Sequence, residues 1–193
     1  MRSRTQSLVL CGLSIALLAA GAAVVFPFGP IPFTLQALVL MLIVLVLTPK
    51  ETIVAVGGYL LLGAIGLPVF SGLTGGFGIL LGPTGGFLAG FFVGSLLAAL
   101  LRSALKPRLA GRRSFLAMDI FSILVVILVY NVSGVLWFMH ITGSELVVSL
   151  TICVLPFIGA DIIKAIAAFT CAQPIRIALK RSDLMTNKRS TPN

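Results

Sequence analysis

The chain has 193 residues, 59% hydrophobic and 10% charged, with a net charge of +9 and a mean hydropathy of +1.16. A soluble domain carries about 45–50% apolar and about 25% charged residues, so five acidic residues are too few to solvate a globular surface of this size. A soluble enzyme, a disordered chain and a disulfide scaffold are excluded, which leaves an integral membrane protein with almost no extramembrane mass.

An apolar helix needs about 20 residues to cross the hydrocarbon core, and the first run, Leu8 to Val25, meets that length. It stops at Phe26-Pro27-Phe28-Gly29-Pro30-Ile31-Pro32, where the prolines cannot continue a helix. Thr34 is read as the N-cap of a second run that lasts to Leu47. The third spans Glu51 to Gly66. Both are short for a span, and a thin local bilayer or apolar flanks would complete them. Leu67 to Gly82 holds five glycines, one proline and no charge, and is expected to dip back among the helices. Pro83 suits a first helical position and opens a fourth helix to Leu101. A basic loop follows, with Arg102, Lys106, Arg108, Arg112 and Arg113, then a fifth helix from Ser114 to Phe138. Leu146 to Leu179 is too long for one span. Pro156 and Gly159 divide it into an outer lid-like or re-entrant segment, Glu145–Leu155, and a sixth span, Gly159–Leu179, with a kink at Pro174. The alternative is one undivided span from Leu146 to Cys171, with Pro156 in its interior.

The expected architecture is therefore an all-α membrane domain over residues 1–180, with six spans, followed by a polar tail over 181–193. Of the 14 Lys and Arg, all but Lys164 fall before the first run, between the second and third, between the fourth and fifth, or at the end of the chain. The opposite connections carry none. That alternation predicts both termini on the cytoplasmic side and accounts for the positive charge without nucleic acid, for which no motif is present. A competing reading of the N-terminus is a signal peptide with Ala20-Gly21-Ala22 as its cleavage site, but the apolar run exceeds the roughly 7–15 residues of a signal core. No internal repeat or linker is visible.

Catalytic motifs are nearly absent. The lone histidine, His140, is expected at the outer mouth of the fifth helix in a structural role. Gly82-Pro83-Thr84-Gly85-Gly86 lacks the Gly-Lys-Ser/Thr of a phosphate-binding loop, so the chain has no route to ATP hydrolysis. Cys11, Cys153 and Cys171 lack metal-site spacing and read as small packing residues. Neither a metal nor a cofactor is expected.

The informative charges are Asp161 and Lys164, which share one helix face at i, i+3, while every other charge is expected to avoid the apolar spans. An ionisable group in a span costs about 2.5–3.5 kcal/mol on insertion scales. The pair is either a neutralising ion pair that helps packing or a polar recognition site opening outward. Asn131 and Gln36 could join such a site or make interhelical hydrogen bonds. Phe26, Phe28, Phe33, Phe70, Phe77, Trp137 and Phe138 gather at the outer side, as an aromatic belt with a few pocket walls among them. Small residues form two ridges, Gly12, Ala16 and Ala20 with Ala19 and Ala23 in parallel, and Gly86, Gly90, Gly94 and Ala98. Internal helix packing is the default reading of both.

Three segments in order resemble one family: Pro32-Phe33-Thr34-Leu35-Gln36; Gly58-Tyr59-Leu60-Leu61-Leu62-Gly63 through Leu67-Pro68-Val69-Phe70 to Gly82-Pro83-Thr84-Gly85-Gly86-Phe87; and Leu155-Pro156-Phe157-Ile158-Gly159-Ala160-Asp161-Ile162-Ile163-Lys164. Over residues 8–180 the chain resembles BioY, the biotin-specific substrate-binding component of energy-coupling-factor transporters. The family's usual Gly-Asp step is interrupted here by Ala160. The resemblance implies a six-helix S-component bundle in a prokaryotic cell membrane, embedded in lipid, with biotin held near the outer face. It implies Asp161 and Lys164 as the polar pair, with Asn131, Gln36, Thr84, Gly85 and Tyr59 as further substrate-binding candidates. It also implies a transmembrane coupling protein and two cytoplasmic ATPases as partners, docked through Ala16, Ala20, Ala19 and Ala23. A ureido group has two N–H donors and a carbonyl, matching a carboxylate and an ammonium; Lys164 could instead meet the ligand's own carboxylate. A non-transporting membrane scaffold, or a component for another vitamin, is the alternative reading.

Overall fold

A computed structural model of the chain describes residues 3–26, 31–105 and 111–189. Pro27, Phe28, Gly29 and Pro30 of the first connection, Lys106 and Arg108 of the basic loop, and residues 190–193 lie outside the described residues, as do the side chains of Arg112, Lys188 and Arg189.

Helix α1, Arg4–Ala23, starts four residues before the apolar run because Ser3 and Gln6 form a capping box that satisfies two orphan N–H groups. The chain then departs from the all-helical expectation. Strand β1, Val25–Phe26, pairs antiparallel with β2, Phe33–Thr34, and closes the base of the proline connection. Prolines bar a helix there, while the flanking Val, Phe and Thr favour extended backbone. Thr34 is thus a strand residue and Leu35 the N-cap of α2, Gln36–Val46, although the Thr34 hydroxyl still accepts the Gln36 N–H at 3.4 Å. Helix α3, Pro49–Ala64, opens on a Thr48–Glu51 capping box with proline in its first turn.

The glycine-rich segment does not stay irregular throughout. It holds a short helix α4, Phe77–Leu81, and a bridge between Phe70 and Thr74. Phe70 folds back onto α3 because Gly63 has no side chain: a Cβ there would overlap the Phe70 ring. Helix α5 starts at Gly85, two residues after Pro83, and runs to Leu105; α6 spans Arg112–Thr142. Helix α7, Leu146–Cys153, and α8, Ile158–Arg189, are separated by a turn at residues 154–157, so the divided reading at Pro156 is the one the structure adopts. Pro174 lies inside α8, and the helix passes residue 180 without a break.

The glycine ridge of α5 packs internally on α6, as its spacing suggests. A Cβ at Gly86 would lie 2.5 Å from the Ser133 carbonyl oxygen, and one at Gly90 would lie 2.6 Å from the Tyr130 Cα. The α1 ridge does the opposite. Gly12, Ala16, Ala20 and Ala23 are exposed, and only Ala19 of that set packs partly against the core. Helix α2 is buried on nearly every side, which suits a helix that is apolar all round.

Contacts between helix ends sort the molecule into two poles. At one, the start of α1 meets the start of α3 through Ser7 and Glu51, 2.7 Å apart. The same pole holds a charge cluster that corrects the expectation about charges in the spans. Asp119 of α6 is 1% exposed and accepts from Arg102 of α5 at 2.6 Å and from Arg176 of α8 at 2.5 and 2.8 Å. Both guanidinium groups also donate to the Leu45 carbonyl near the end of α2. Asp161 and Lys164 lie at the other pole, near the starts of α2, α5 and α8. Among the described residues, four helices are long and apolar enough to cross a membrane: Arg4–Ala23, Gly85–Leu105, Arg113–Thr142 and Ile158–Arg181.

Candidate functional site

At the pole away from the arginine cluster lies a cavity of about 320 Å³. That size suits a small organic solute. Its walls are mostly apolar, with Phe33, Phe70, Phe87, Phe91 and Phe157 among them, and its polar groups are few. Asp161 and Lys164 are each 6% exposed and both face it. The 154–157 turn starts α8 in time to place Asp161 in its first turn, where the positive end of the helix dipole favours a carboxylate. Lys164 follows one turn later, and Ala168 and Ala172 continue the same buried face against the core.

The Lys164 ammonium donates to Asp161 Oδ1 at 3.3 Å and sits 4.0 Å from the centroid of the Phe33 ring. That ring is carried by β2 and stacks on Phe157 at 6.2 Å, so the small β-pair supplies one wall and a cation–π partner. Asp161 Oδ2 accepts from the Tyr130 hydroxyl at 2.5 Å. Neither charge is therefore stranded in the apolar wall.

Of the other residues singled out from sequence, Gln36, Thr84 and Asn131 line the cavity. Gln36 receives the Thr34 hydroxyl at 3.0 Å on its carbonyl and donates through its amide to Tyr59. Asn131 donates to the Ile127 carbonyl of its own helix at 3.0 Å. Tyr59 and Gly85 are not lining residues. Tyr59 stands behind Gln36, fully buried, with its hydroxyl donating to the Val69 carbonyl at 2.9 Å and its ring edge-on to Phe70. Gly85 is buried where α5 begins, and a Cβ there would overlap the Leu80 carbonyl. Phe33 and Phe70 prove to be cavity walls, whereas Phe26 and Phe77 are exposed, Phe138 is buried in a second apolar cluster with Phe157, and the Trp137 indole donates to the Gly82 carbonyl. His140 is exposed, 5.9 Å from the Trp137 ring.

A family model described as the BioY family matches residues 1–181. The chain belongs to the BioY family. It is 34% identical over 189 residues to the biotin transporter BioY2 of Lactococcus lactis subsp. cremoris, covering 98% of both chains. It is 35% identical to a probable biotin transporter BioY of Pyrococcus horikoshii, over 91% of this chain and 98% of that one. A crystal structure of the S-component for biotin from an ECF-type ABC transporter superposes with a TM-score of 0.79 at 27% identity, over 93% of this chain and 95% of that one. As a BioY-family member the chain is a multi-pass membrane protein of substrate-binding type and not an enzyme.

Sequence reading missed Tyr130, which reaches Asp161 from α6, and read Thr34 only as a cap. A signal for Tyr130 did exist. It is a hydroxyl-bearing aromatic in an otherwise aliphatic stretch, directly beside Asn131.

Proposed function

We propose that the chain is the biotin-binding membrane subunit of an energy-coupling-factor transporter, capturing biotin from the outer side. The observation that carries this reading is the Asp161–Lys164 pair, buried in the wall of a mostly apolar cavity of vitamin size. A carboxylate offers about four acceptor positions, of which Tyr130 and Lys164 engage two, so N–H donors of a ureido ring can be accepted on the rest. The Lys164 ammonium has donors left for a carbonyl or a carboxylate, and the phenylalanine walls suit a thiophane ring and an aliphatic chain. Gln36, Asn131 and Thr84 supply the remaining polar contacts, with Tyr59 holding Gln36 from behind and Gly85 shaping the start of α5.

The same reading gives six spans and two cytoplasmic termini. Apart from Lys164, the Lys and Arg with described side chains fall toward the pole opposite the cavity: Arg4, Lys50 and Arg113 in the first turns of α1, α3 and α6, Arg102 in the last turn of α5, and Arg176, Lys180 and Arg181 in the second half of α8, in keeping with the bias of cations to the cytoplasmic side. Without a nucleotide site, active transport falls to a separate coupling protein and two ATPases, and the outward-facing Ala16 and Ala20 stripe, with Ala23 and the half-buried Ala19 beside it, is the docking surface we assign to them.

Calorimetric titration of the purified chain with biotin and with unrelated vitamins tests the reading directly. Tight binding of biotin alone supports it. Binding of another vitamin in preference, or of no solute, replaces it with one of the alternatives.

A further inference from the structure

Tyr130 lies 31 residues from Asp161 in sequence, yet its hydroxyl donates to Asp161 Oδ2 at 2.5 Å while the residue itself is 4% exposed and lines the cavity. Three features fix that ring. Gly90 lets α6 approach α5 so closely that a Cβ there would meet the Tyr130 backbone at 2.6 Å. Phe91 meets the ring edge-on, with centroids 5.4 Å apart and planes at 85°. Burial removes water as a competing partner for the hydroxyl. The carboxylate it holds is by contrast torsionally soft, because the terminal torsion of an aspartate is broad and roughly two-fold. Lys164 alone, at 3.3 Å on Oδ1, would leave that torsion loosely set.

We propose that Tyr130 is a positioning residue for ligand recognition, clamping Oδ2 so that the free lone pairs of Asp161 point into the cavity. The clamp acts through Asp161 and rests on the recognition reading given above. A hydroxyl bonded to an ionised carboxylate is a charge-assisted bond. Its loss, worth about 1.5–3 kcal/mol, corresponds to a roughly ten- to hundredfold loss of affinity.

The test is a double-mutant cycle on the full chain in detergent, titrated with biotin. Tyr130→Phe keeps the ring and its contact with Phe91 and deletes only the donor. It should weaken biotin about ten- to hundredfold in the Asp161 chain and less than about twofold in the Asp161→Ala background, because no side-chain oxygen remains there for the clamp to hold. Equal losses in both backgrounds would make Tyr130 a packing residue and overturn the proposal. So would unchanged affinity in Tyr130→Phe beside a weakened Asp161→Ala. Normal affinity in Asp161→Ala, or no biotin binding by the unsubstituted chain, overturns the recognition reading itself and the clamp with it. The chain has two tyrosines, so 3-fluorotyrosine labelling gives a second readout that needs no substitution at position 130. The resonance that survives Tyr59→Phe belongs to Tyr130. It should move on Asp161→Asn and on saturation with biotin; a resonance indifferent to Asp161→Asn overturns the proposal.

Discussion

Asp161 and Lys164 are held by groups from two other elements, Tyr130 on α6 and Phe33 on β2. That support makes their single and joint removal differ in kind. Deleting one partner of a buried pair leaves a charge unpaired and costs about 3–5 kcal/mol, which as affinity is on the order of a hundredfold to several thousandfold. Asp161→Asn should therefore bind biotin severely more weakly, since an amide offers one acceptor oxygen in place of two. Lys164→Met keeps the apolar stem and deletes only the ammonium. The double change, Asp161→Asn with Lys164→Met, should insert and melt at least as well as the unsubstituted chain and yet fail to bind. A well-folded double variant with normal biotin affinity would assign the pair to packing alone.

At the scale of elements, close approach of α5 and α6 depends on glycine. Gly86→Ala places a methyl against Trp137 and the Ser133 carbonyl, and Gly90→Ala places one against the Tyr130 backbone. Overpacking of this kind costs about 1–3 kcal/mol, so both should melt at lower temperature in detergent. Gly12→Ala is the control. Nothing lies within 4 Å of its added methyl, and its melting should not fall. The second element-level device is the Asp119 cluster, which ties α5, α6 and α8 to the end of α2. Asp119→Ala leaves two guanidinium groups facing each other and should destabilise by about 3–5 kcal/mol, read as a lowered melting temperature. Because the cluster sits at the pole opposite the cavity, biotin affinity of the folded fraction should stay within a few-fold of normal.

For the whole molecule, the segregation of cations predicts topology. A reporter active only in the cytoplasm should give signal when fused at Lys50, Arg108 or the C-terminus and stay silent at Gly29, Gly75 or Gly143. Activity at any of the second set removes the six-span arrangement. Transport divides in the same way. Vesicles containing this chain alone should bind biotin without ATP-driven accumulation, and Ala16→Trp or Ala20→Trp, both on the exposed face of α1, should impair partner assembly measured by co-purification while leaving binding largely intact.

What the sequence by itself determined follows from local rules. Apolar run lengths and proline or glycine breaks located both ends of α1, α5 and α6 and the start of α8 to within about four residues, because burial in lipid forces backbone hydrogen bonds to close within each segment, whereas α8 runs on past the expected Leu179 to Arg189. The i, i+3 spacing of Asp161 and Lys164 put them on one face, and motif order carried the family. Tertiary structure alone decided which partners those groups meet. The hydroxyl of Tyr130 beside Asn131 is a local signal that names no partner, and the packing of α6, set against α5 by the glycine contact, brings it to Asp161. No sequence motif singles out Asp119; its burial arises because Arg102 and Arg176, 17 and 57 residues away, converge on it. Thr84 faces the cavity and its neighbour Gly85 faces the Leu80 carbonyl. Thr84 lies in the turn and Gly85 opens α5, and where that helix begins against α4 is set by packing between elements, which no single segment encodes.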